Sequence, residues 1–429
     1  MRIDISYGKS GVAAEVADDL EVRMIRKPEM PALAKSEAAI EAALERPVGA
    51  PPLAELARGK RSACILICDI TRPVPNRLFL QPLIRQLIEA GLSAGDITVL
   101  IATGLHRPAD DDEVAELVGD PWVMDTVRIA NHFARNDDDH VDLGVTPTRG
   151  TRIRLDRRFV EAELKIATGL VEPHFMAGYS GGRKVIAPGV AHAETITTFH
   201  SARFMEHPLA ANCVLDGNPL HEEQLEVVKM LGGVLAINTV INESRELAYV
   251  NFGEILASHA EAVSFTRGFV EVPIEQRYAT ILTSAAGYPL DKTYYQTIKG
   301  MVAPMEILAP GGDLIVASEC SEGMGSQHFV DAQRRFVEQG PERFLATLCE
   351  KSHADIDEWQ TEMQLKPMRI GSIHLFSGGL PESDHGLTGV NVVRDLGQAV
   401  MRSVARSGER RIAVIPEGPY VVPVYRPSA

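Results

Sequence analysis

The stretch VEPHFMAGYSGGRKVIAPGVAHAETITTFHS, residues 171–201, sets His174, Lys184, His192 and His200 around a glycine-rich turn. Imidazoles exchange protons near neutral pH and bind metals. A lysine beside another cation, here Arg183, has its pKa drawn down toward that of a usable nucleophile. GYSGGRK, residues 178–184, has the composition of a loop whose backbone N–H groups converge on an anion, with Gly181 and Gly182 at its centre. It is not a Walker A motif, because Val185 follows Lys184, and it lacks the Rossmann order of glycines. Lys184 is thus either a nucleophile or a phosphate partner. No HxxxH, HExxH or cysteine-rich spacing joins the histidines, so a zinc site made from His174, His192 and His200 has no familiar ligand spacing behind it.

Three further points carry chemistry. ICDI runs into TRPVPN and gives Asp69 and Arg72; LIATG runs into LHRP and gives Thr103 and His106; KIATG runs into LVEPH and gives Glu172 and His174. The tetrapeptide ATGL occurs at 102–105 and again at 167–170, each time shortly before a histidine, as if two similar strand ends presented two imidazoles. Singly, each residue fits a surface ion pair, a structural histidine or ordinary turn chemistry. Together they read as a site, because open α/β sheets bind ligands outside the carboxyl ends of their strands.

The elements that position these residues are written in the hydrophobic pattern. ACILICDI (63–70), ITVLIA (97–102), VRIA (127–130), LKIATGL (164–170) and VLAINTVI (234–241) alternate with amphipathic segments, the rhythm of an α/β domain with a largely parallel sheet. Between the first two, Leu80, Leu83, Ile84, Leu87 and Ile88 follow helical spacing, and Gly91 stands where the helix should stop. Cys64 and Cys68 fall on one face of the first strand as small core residues. A helix over 193–204 would set His192 and His200 roughly two turns apart on one face.

A second α/β rhythm follows a linker near 265–278: YATILTSA (278–285), DLIVASE (313–319), SIHLFS (372–377) and RIAVIPE (411–417). After its first strand, Asp291 is positioned to cap a helix in which Tyr295, Gln296 and Lys299 share one patch. Trp359, one of two tryptophans, reads as core packing or as a cleft residue. The proline-interrupted PEGPYVVPVYRPSA reads as an extended tail. The expected architecture is two α/β domains with largely parallel sheets and the active site in the cleft between them. Residues 1–268 form the first, residues 278–410 the second, and 411–429 a final strand and tail.

At 429 residues the chain exceeds what one core usually serves. A formal charge of -15 argues against a nucleic-acid surface, while a small anionic substrate is compatible with it where a few basic groups are local to the site. Five scattered cysteines, the absence of a secretory-type start and the lack of a membrane-length apolar run point to a cytoplasmic protein without a membrane partner.

Taken in order, DITRPVPN, TGLHRP, VEPHFMAGYSGGRKVIAPG, TTFHS and GYPLDKTYYQTIKG resemble the lactate racemase family, the 2-hydroxyacid racemases and epimerases that use a nickel-pincer nucleotide. The resemblance implies a pyridinium-derived mononucleotide with two thio groups, tethered to Lys184 through a thioamide and made by dedicated cofactor-building enzymes. His200 matches the imidazole that completes the nickel's ligands, which accounts for the lack of a multi-histidine motif. His106 and His174 match the general acid/base pair, with hydride leaving and returning through a 2-keto acid. Arg72 matches the carboxylate-binding arginine, Lys299 a second cationic contact with Gln296 and Tyr295 beside it, and Trp359 an aromatic cleft residue. Asp69 is assigned to supporting Arg72 or touching the nucleotide, and the glycine turn with Gly181 and Gly182 to seating it. His192 becomes structural. The substrate is a small anionic 2-hydroxy acid such as lactate or malate. Two other readings stand beside it: a non-catalytic nucleotide- or metal-binding protein, and a zinc-dependent hydrolase.

Overall fold

In the computed structural model, which describes residues 1–427, the apolar runs become the strands of two six-stranded sheets. Their strands are β1 (Glu21–Met24), β2 (Ala63–Cys68), β3 (Ile97–Ala102), β4 (Arg128–Asn131), β5 (Leu164–Leu170), β6 (Val234–Ile241), β7 (Leu247–Glu254), β8 (Tyr278–Ser284), β9 (Leu308–Ala317), β10 (Ser372–Phe376), β11 (Asn391–Val393) and β12 (Arg411–Ile415). The helices that bear on the site are α1 (Asn76–Glu89), α2 (Gly182–Ile186), α3 (Ala193–Phe199), α4 (Ala202–Met205), α5 (Pro219–Leu231), α6 (Ile255–Val270), α7 (Tyr294–Val302) and α8 (Glu358–Met368). No helix among the described residues is long and apolar enough to cross a membrane.

The first sheet has the order β7-β6-β5-β2-β3-β4 and is parallel except for the edge strand β7. Its central strands are buried on both faces, which is why β2 reads as the unbroken apolar run ACILIC. Leu80, Leu83, Ile84 and Leu87 of α1 are fully buried against it. Gly91 ends that helix at φ +108°, its N–H bonding Ile88 O at 2.9 Å while Leu92 N–H reaches Leu87 O at 3.1 Å. From β2 the chain builds outward through β3 and β4 on one side and has β5, β6 and β7 on the other. The crevice between β2 and β5 is therefore the topological switch point.

A buried carboxylate pins the segment that leads into β5. Asp156 is fully buried, accepts from Arg158 Nη2 at 2.6 Å and lies 3.1 Å from His132 Nδ1. Burial pushes its carboxyl up, but the bonds from Arg158 and His132 outweigh that and hold it at about 2. A carboxyl depressed this far below its ordinary value contributes about 2 kcal/mol of stability. That contribution is present above the ordinary carboxylate range and is lost as pH falls through the folded value. Asp156→Ala is expected to lower the urea-unfolding free energy at pH 7 by about 2 kcal/mol, with the gap to the parent closing at strongly acid pH.

The second sheet is wholly parallel, in the order β11-β10-β9-β8-β12-β1. At its own switch point, between β8 and β12, the chain's N-terminal turn takes the crevice. Ser6 N–H bonds Pro416 O at 3.1 Å, Gly8 N–H bonds Asp291 Oδ2 at 2.7 Å, and Gly378 N–H bonds the Tyr7 hydroxyl at 2.7 Å. Asp291 thus holds this turn and Glu319 N–H, and does not cap α7; Thr293 does, receiving Gln296 N–H at 3.4 Å.

The chain divides into two compact units, and the division departs from a single cut near 265–278. One unit is Glu29–Phe199 with Leu209–Gly268 and holds the first sheet; the other takes Met1–Pro28, His200–Pro208 and the chain from Phe269 onward, with the second sheet. Residues 1–28 leave the expected 1–268 domain because β1 hydrogen-bonds beside β12, Glu21 opposite Arg411. A four-residue strand such as EVRM carries no mark of its partner. The expected linker is itself structured: α6 runs to Val270, and Glu271–Ile274 pairs in parallel with Val422–Tyr425 of the tail. The expected final strand forms at Arg411–Ile415, in the interior of the second sheet between β8 and β1.

Candidate active site

Around the switch point of the first sheet, four charged side chains gather about one thiol. Cys68 closes β2, and burial pushes its thiol up to about 12 while Arg72, Asp69, Lys184 and Glu172 act on it electrostatically. A thiol this hard to ionise is inert. Its value is as a landmark, since the charges of Arg72, Asp69, Glu172 and, from α2, Lys184 all reach it.

Asp69 is buried and accepts from the Thr71 hydroxyl at 2.6 Å, while His106 Nδ1 lies 2.5 Å from its Oδ2. Burial raises its carboxyl, but the bonds from His106 and Thr71 leave it below the ordinary range. Asp69 is therefore a charged partner for His106, whereas the sequence had tied it to Arg72 or the nucleotide. Its link to Arg72 is only through the backbone, Arg72 N–H to Asp69 O at 3.1 Å. The Arg72 guanidinium instead pairs through Nη1 with Glu172. An Nδ1–H donated to Asp69 leaves the lone pair of a neutral His106 on Nε2.

His174 is held the other way round. It sits on a two-residue ribbon, Pro173–His174 against Gly178–Tyr179, and its Nδ1 accepts from Met176 N–H at 3.3 Å and Ala177 N–H at 3.2 Å. A neutral His174 then carries its proton on Nε2. The two ATGL copies are not equivalent, because the second lies wholly inside β5 whereas the first runs off the end of β3 at Ala102. His106 follows a turn directly, while His174 is reached only after Ser180 Oγ ties the ribbon back to Leu170 O at 2.6 Å.

The glycine turn works mainly by close packing. A Cβ on Gly182 would lie 2.9 Å from Ala236 Cβ, and one on Gly181 would lie 2.5 Å from His259 Cδ2. These glycines let α2 approach β6 and α6, and toward an anion they have only backbone N–H groups to offer. Arg183 points inward and is fully buried. It donates to His221 Nδ1 at 2.8 Å and to Tyr179 O at 3.0 Å, with His259 Nε2 2.6 Å from its Nη1. Burial and the Arg183 charge pull His221 down to about 3, so it stays a neutral acceptor. Arg183 is thus a clamp between α2, α5, α6 and the His174 ribbon, a role its place beside Lys184 did not announce.

His200, Tyr295, Gln296, Lys299 and Trp359 belong to the other unit. α3 stops at Phe199 and α4 starts at Ala202, so His200 lies in the break. His192 precedes α3 and packs on Arg154 and on Asp137, 3.3 Å away, so the two histidines share no helix face. The His200 ring lies 4.4 Å from the Trp359 ring at 39°. Trp359 is on α8, which is buried on nearly all sides and also carries Glu362, whose carboxyl is pushed up to about 9 by burial and then by Glu206. On α7, Gln296 has a buried Oε1 with no hydrogen-bond partner, and Lys299 follows one turn on. Tyr295 lies edge-on to Phe329 at 5.1 Å, and burial pushes its phenol well above the ordinary range. Among the described residues no three or more His, Cys, Asp or Glu side chains form a group able to hold a metal.

Residues 7–212 match the family described as the lactate racemase N-terminal domain, and residues 274–423 that described as the lactate racemase C-terminal domain. The lactate racemase of Thermoanaerobacterium thermosaccharolyticum is 30% identical over 427 residues, 98% of each chain, and that of Lactiplantibacillus plantarum is 29% identical over 427 residues, 97% of this chain and 98% of the relative. The solved apoprotein of the Thermoanaerobacterium lactate racemase superposes with a TM-score of 0.90 at 29% identity, covering 99% of this chain and 100% of that one. A protein from Thermotoga maritima shares the fold at a TM-score of 0.64 and 17% identity, over 93% of this chain and 100% of its own.

Proposed function

This chain belongs to the lactate racemase family, and from that premise we propose that it is a racemase that interconverts the enantiomers of a small 2-hydroxy acid, lactate first among them, with a nickel-pincer nucleotide tethered to Lys184. The observation that carries the reading is the pair His106 and His174, one backed by a carboxylate and the other by two backbone N–H groups. A binding protein has no use for two imidazoles with opposed proton positions, whereas exchange of a hydroxyl proton on either side of a planar intermediate needs both.

The residues fit the implied cofactor. Lys184 is in the first turn of α2 and, with Asp69, Arg72 and Glu172, acts on the Cys68 thiol at the switch point. His200 is the imidazole that would hold the metal, with the bound organic group supplying the other donors. The unpartnered Gln296 Oε1 is an acceptor for a hydroxyl or amide. When bound, the nucleotide supplies a reversible acceptor for hydride, which spares the enzyme a carbanion beside a carboxylate.

The chain's own residues handle the anion and the proton. Arg72 offers the substrate carboxylate the guanidinium N–H groups that Glu172 leaves over. The family resemblance assigns Lys299 and Gln296 to the substrate as further polar contacts. His106 Nε2 takes the hydroxyl proton of one enantiomer, and Asp69 stabilises the imidazolium that results. For the other enantiomer His174 takes the proton, which requires its Nδ1 to give up two long hydrogen bonds. That costs about 1–2 kcal/mol, small against a catalytic barrier. The zinc-hydrolase reading has nothing comparable behind it, because His192 is engaged with Arg154 and Asp137.

The test is a chirality assay on protein made together with cofactor-building enzymes. L-lactate, L-malate and larger L-2-hydroxy acids are incubated separately and resolved by chiral chromatography. At least one is expected to reach equal amounts of both enantiomers; protein that carries the Lys184 adduct yet leaves all of them unchanged defeats the proposal.

A further inference from the structure

The loop that carries His106 is held at both ends by two adjacent residues, Asn131 and His132, where β4 stops. Residues 103–109 run from the end of β3 to the helix Asp111–Val118. At the far end of this loop the Asn131 amide makes a fork on one residue: Nδ2–H donates to Ala109 O at 3.0 Å, and Oδ1 accepts Ala109 N–H at 2.9 Å. At the near end the buried Thr103 hydroxyl donates to His132 O at 2.8 Å, while Thr103 O receives His106 N–H at 3.0 Å. His132 thus reaches the backbone of His106 through a single residue. Its own N–H donates to Ile101 O at 3.1 Å, which seats it against β3.

The same two residues are braced from behind and extend toward the lysine. The His132 ring is buried, with Nδ1 3.1 Å from Asp156 Oδ2 and Nε2 3.0 Å from Ala191 O. A carbonyl only accepts, so Nε2 carries a proton and donates it. Arg158, which holds Asp156, also donates through Nη2 to Asn131 O at 3.0 Å. Ala191 belongs to the turn that follows α2, and this turn meets both the anchor and the base loop. Gly189 N–H donates to Lys184 O at 3.2 Å, and Gly189 O receives Gly104 N–H at 2.9 Å. One buried imidazole therefore joins the loop of His106 to the turn behind Lys184, all within one compact unit.

We propose that Asn131 and His132 are positioning residues for proton exchange, fixing where His106 stands relative to Lys184 and so relative to what Lys184 holds. The proposal rests on the reading of His106 as a base. A base must come within hydrogen-bond reach of the proton it takes. A displacement of about 1 Å, caused by a change away from the chemistry, can cost on the order of 10²-fold in rate. The frame acts on the substrate through His106, so its loss belongs in kcat and not in KM.

Two variants test the two ends of the loop. Thr103→Val removes one hydroxyl at nearly constant shape, and Asn131→Ala removes the fork on Ala109; either carries the test if the other does not fold. In full-length, cofactor-loaded protein each is expected to lower kcat about 10- to 100-fold, with KM changed less than about twofold and the Lys184 adduct still present by mass. Thr103→Ser, which restores the hydroxyl, should recover most of the rate. The deciding measurement is a double-mutant cycle: once His106→Ala has removed the base, adding Thr103→Val or Asn131→Ala should lower kcat less than about twofold further. Equal losses with and without His106 would make these residues supports of the fold at large and overturn the proposal, as would an unchanged kcat in either folded variant. If His106→Ala itself keeps full activity, the base reading fails first and takes the proposal with it.

Discussion

Lys184→Ala and Lys184→Arg are both expected to reduce racemisation to background, and in neither should the peptide carrying residue 184 gain the mass of a nucleotide. The arginine variant decides between the two roles the sequence left open. A lysine that only paired with a phosphate would be replaced with modest loss by another cation, whereas a guanidinium cannot serve as the amine of a thioamide. Intact-mass and peptide spectra of protein co-produced with cofactor-building enzymes read the outcome directly. An arginine variant that keeps substantial activity would remove the covalent anchor from the mechanism. Since Lys184 lies on a helix that Arg183 clamps from within, neither change should disturb folding, and an unchanged urea midpoint is the accompanying control.

His106→Ala and His174→Ala are expected to lower kcat by roughly 10²- to 10⁴-fold each while leaving the Lys184 adduct and the nickel content intact. The pH profiles should separate them. Asp69 keeps its charge well below neutral pH, so the carboxylate behind His106 stays in place through the working range. The rate should then fall on the acid side as the base takes up a proton, and Asp69→Asn, which removes the charge that stabilises the imidazolium, should shift that limb to lower pH. If either alanine variant keeps full activity, the two-base scheme fails. If both lose the adduct as well, the histidines belong to cofactor binding and not to proton exchange.

Much of this was legible before any coordinates. The parallel strands announce themselves as apolar runs because a strand covered on both faces has no polar side to show, so ITVLIA, LKIATGL and VLAINTVI appear with their ends in place. Residues beyond those ends stand out for the same reason, being polar side chains where the apolar run stops. Thus Asp69, Arg72, His106, Glu172, His174 and Lys184 could all be picked out singly. What each of them holds could not. Asp69 is 37 residues from His106, and Glu172 is 100 residues from Arg72. Such pairings depend on which strand lies beside which, and local periodicity does not record that.

The sequence by itself determined the two α/β rhythms, the family and the residue types available for proton exchange, anion binding and anchoring. Tertiary structure decided their employment. It gave Asp69 to His106 and turned Arg183 inward as a clamp. It broke the expected 193–204 helix at His200 and moved residues 1–28 to the second sheet. The physical reason is the same in each case. Strand and helix formation follow from side chains a few residues apart, whereas a buried polar group takes whatever partner the packed chain brings within hydrogen-bond reach.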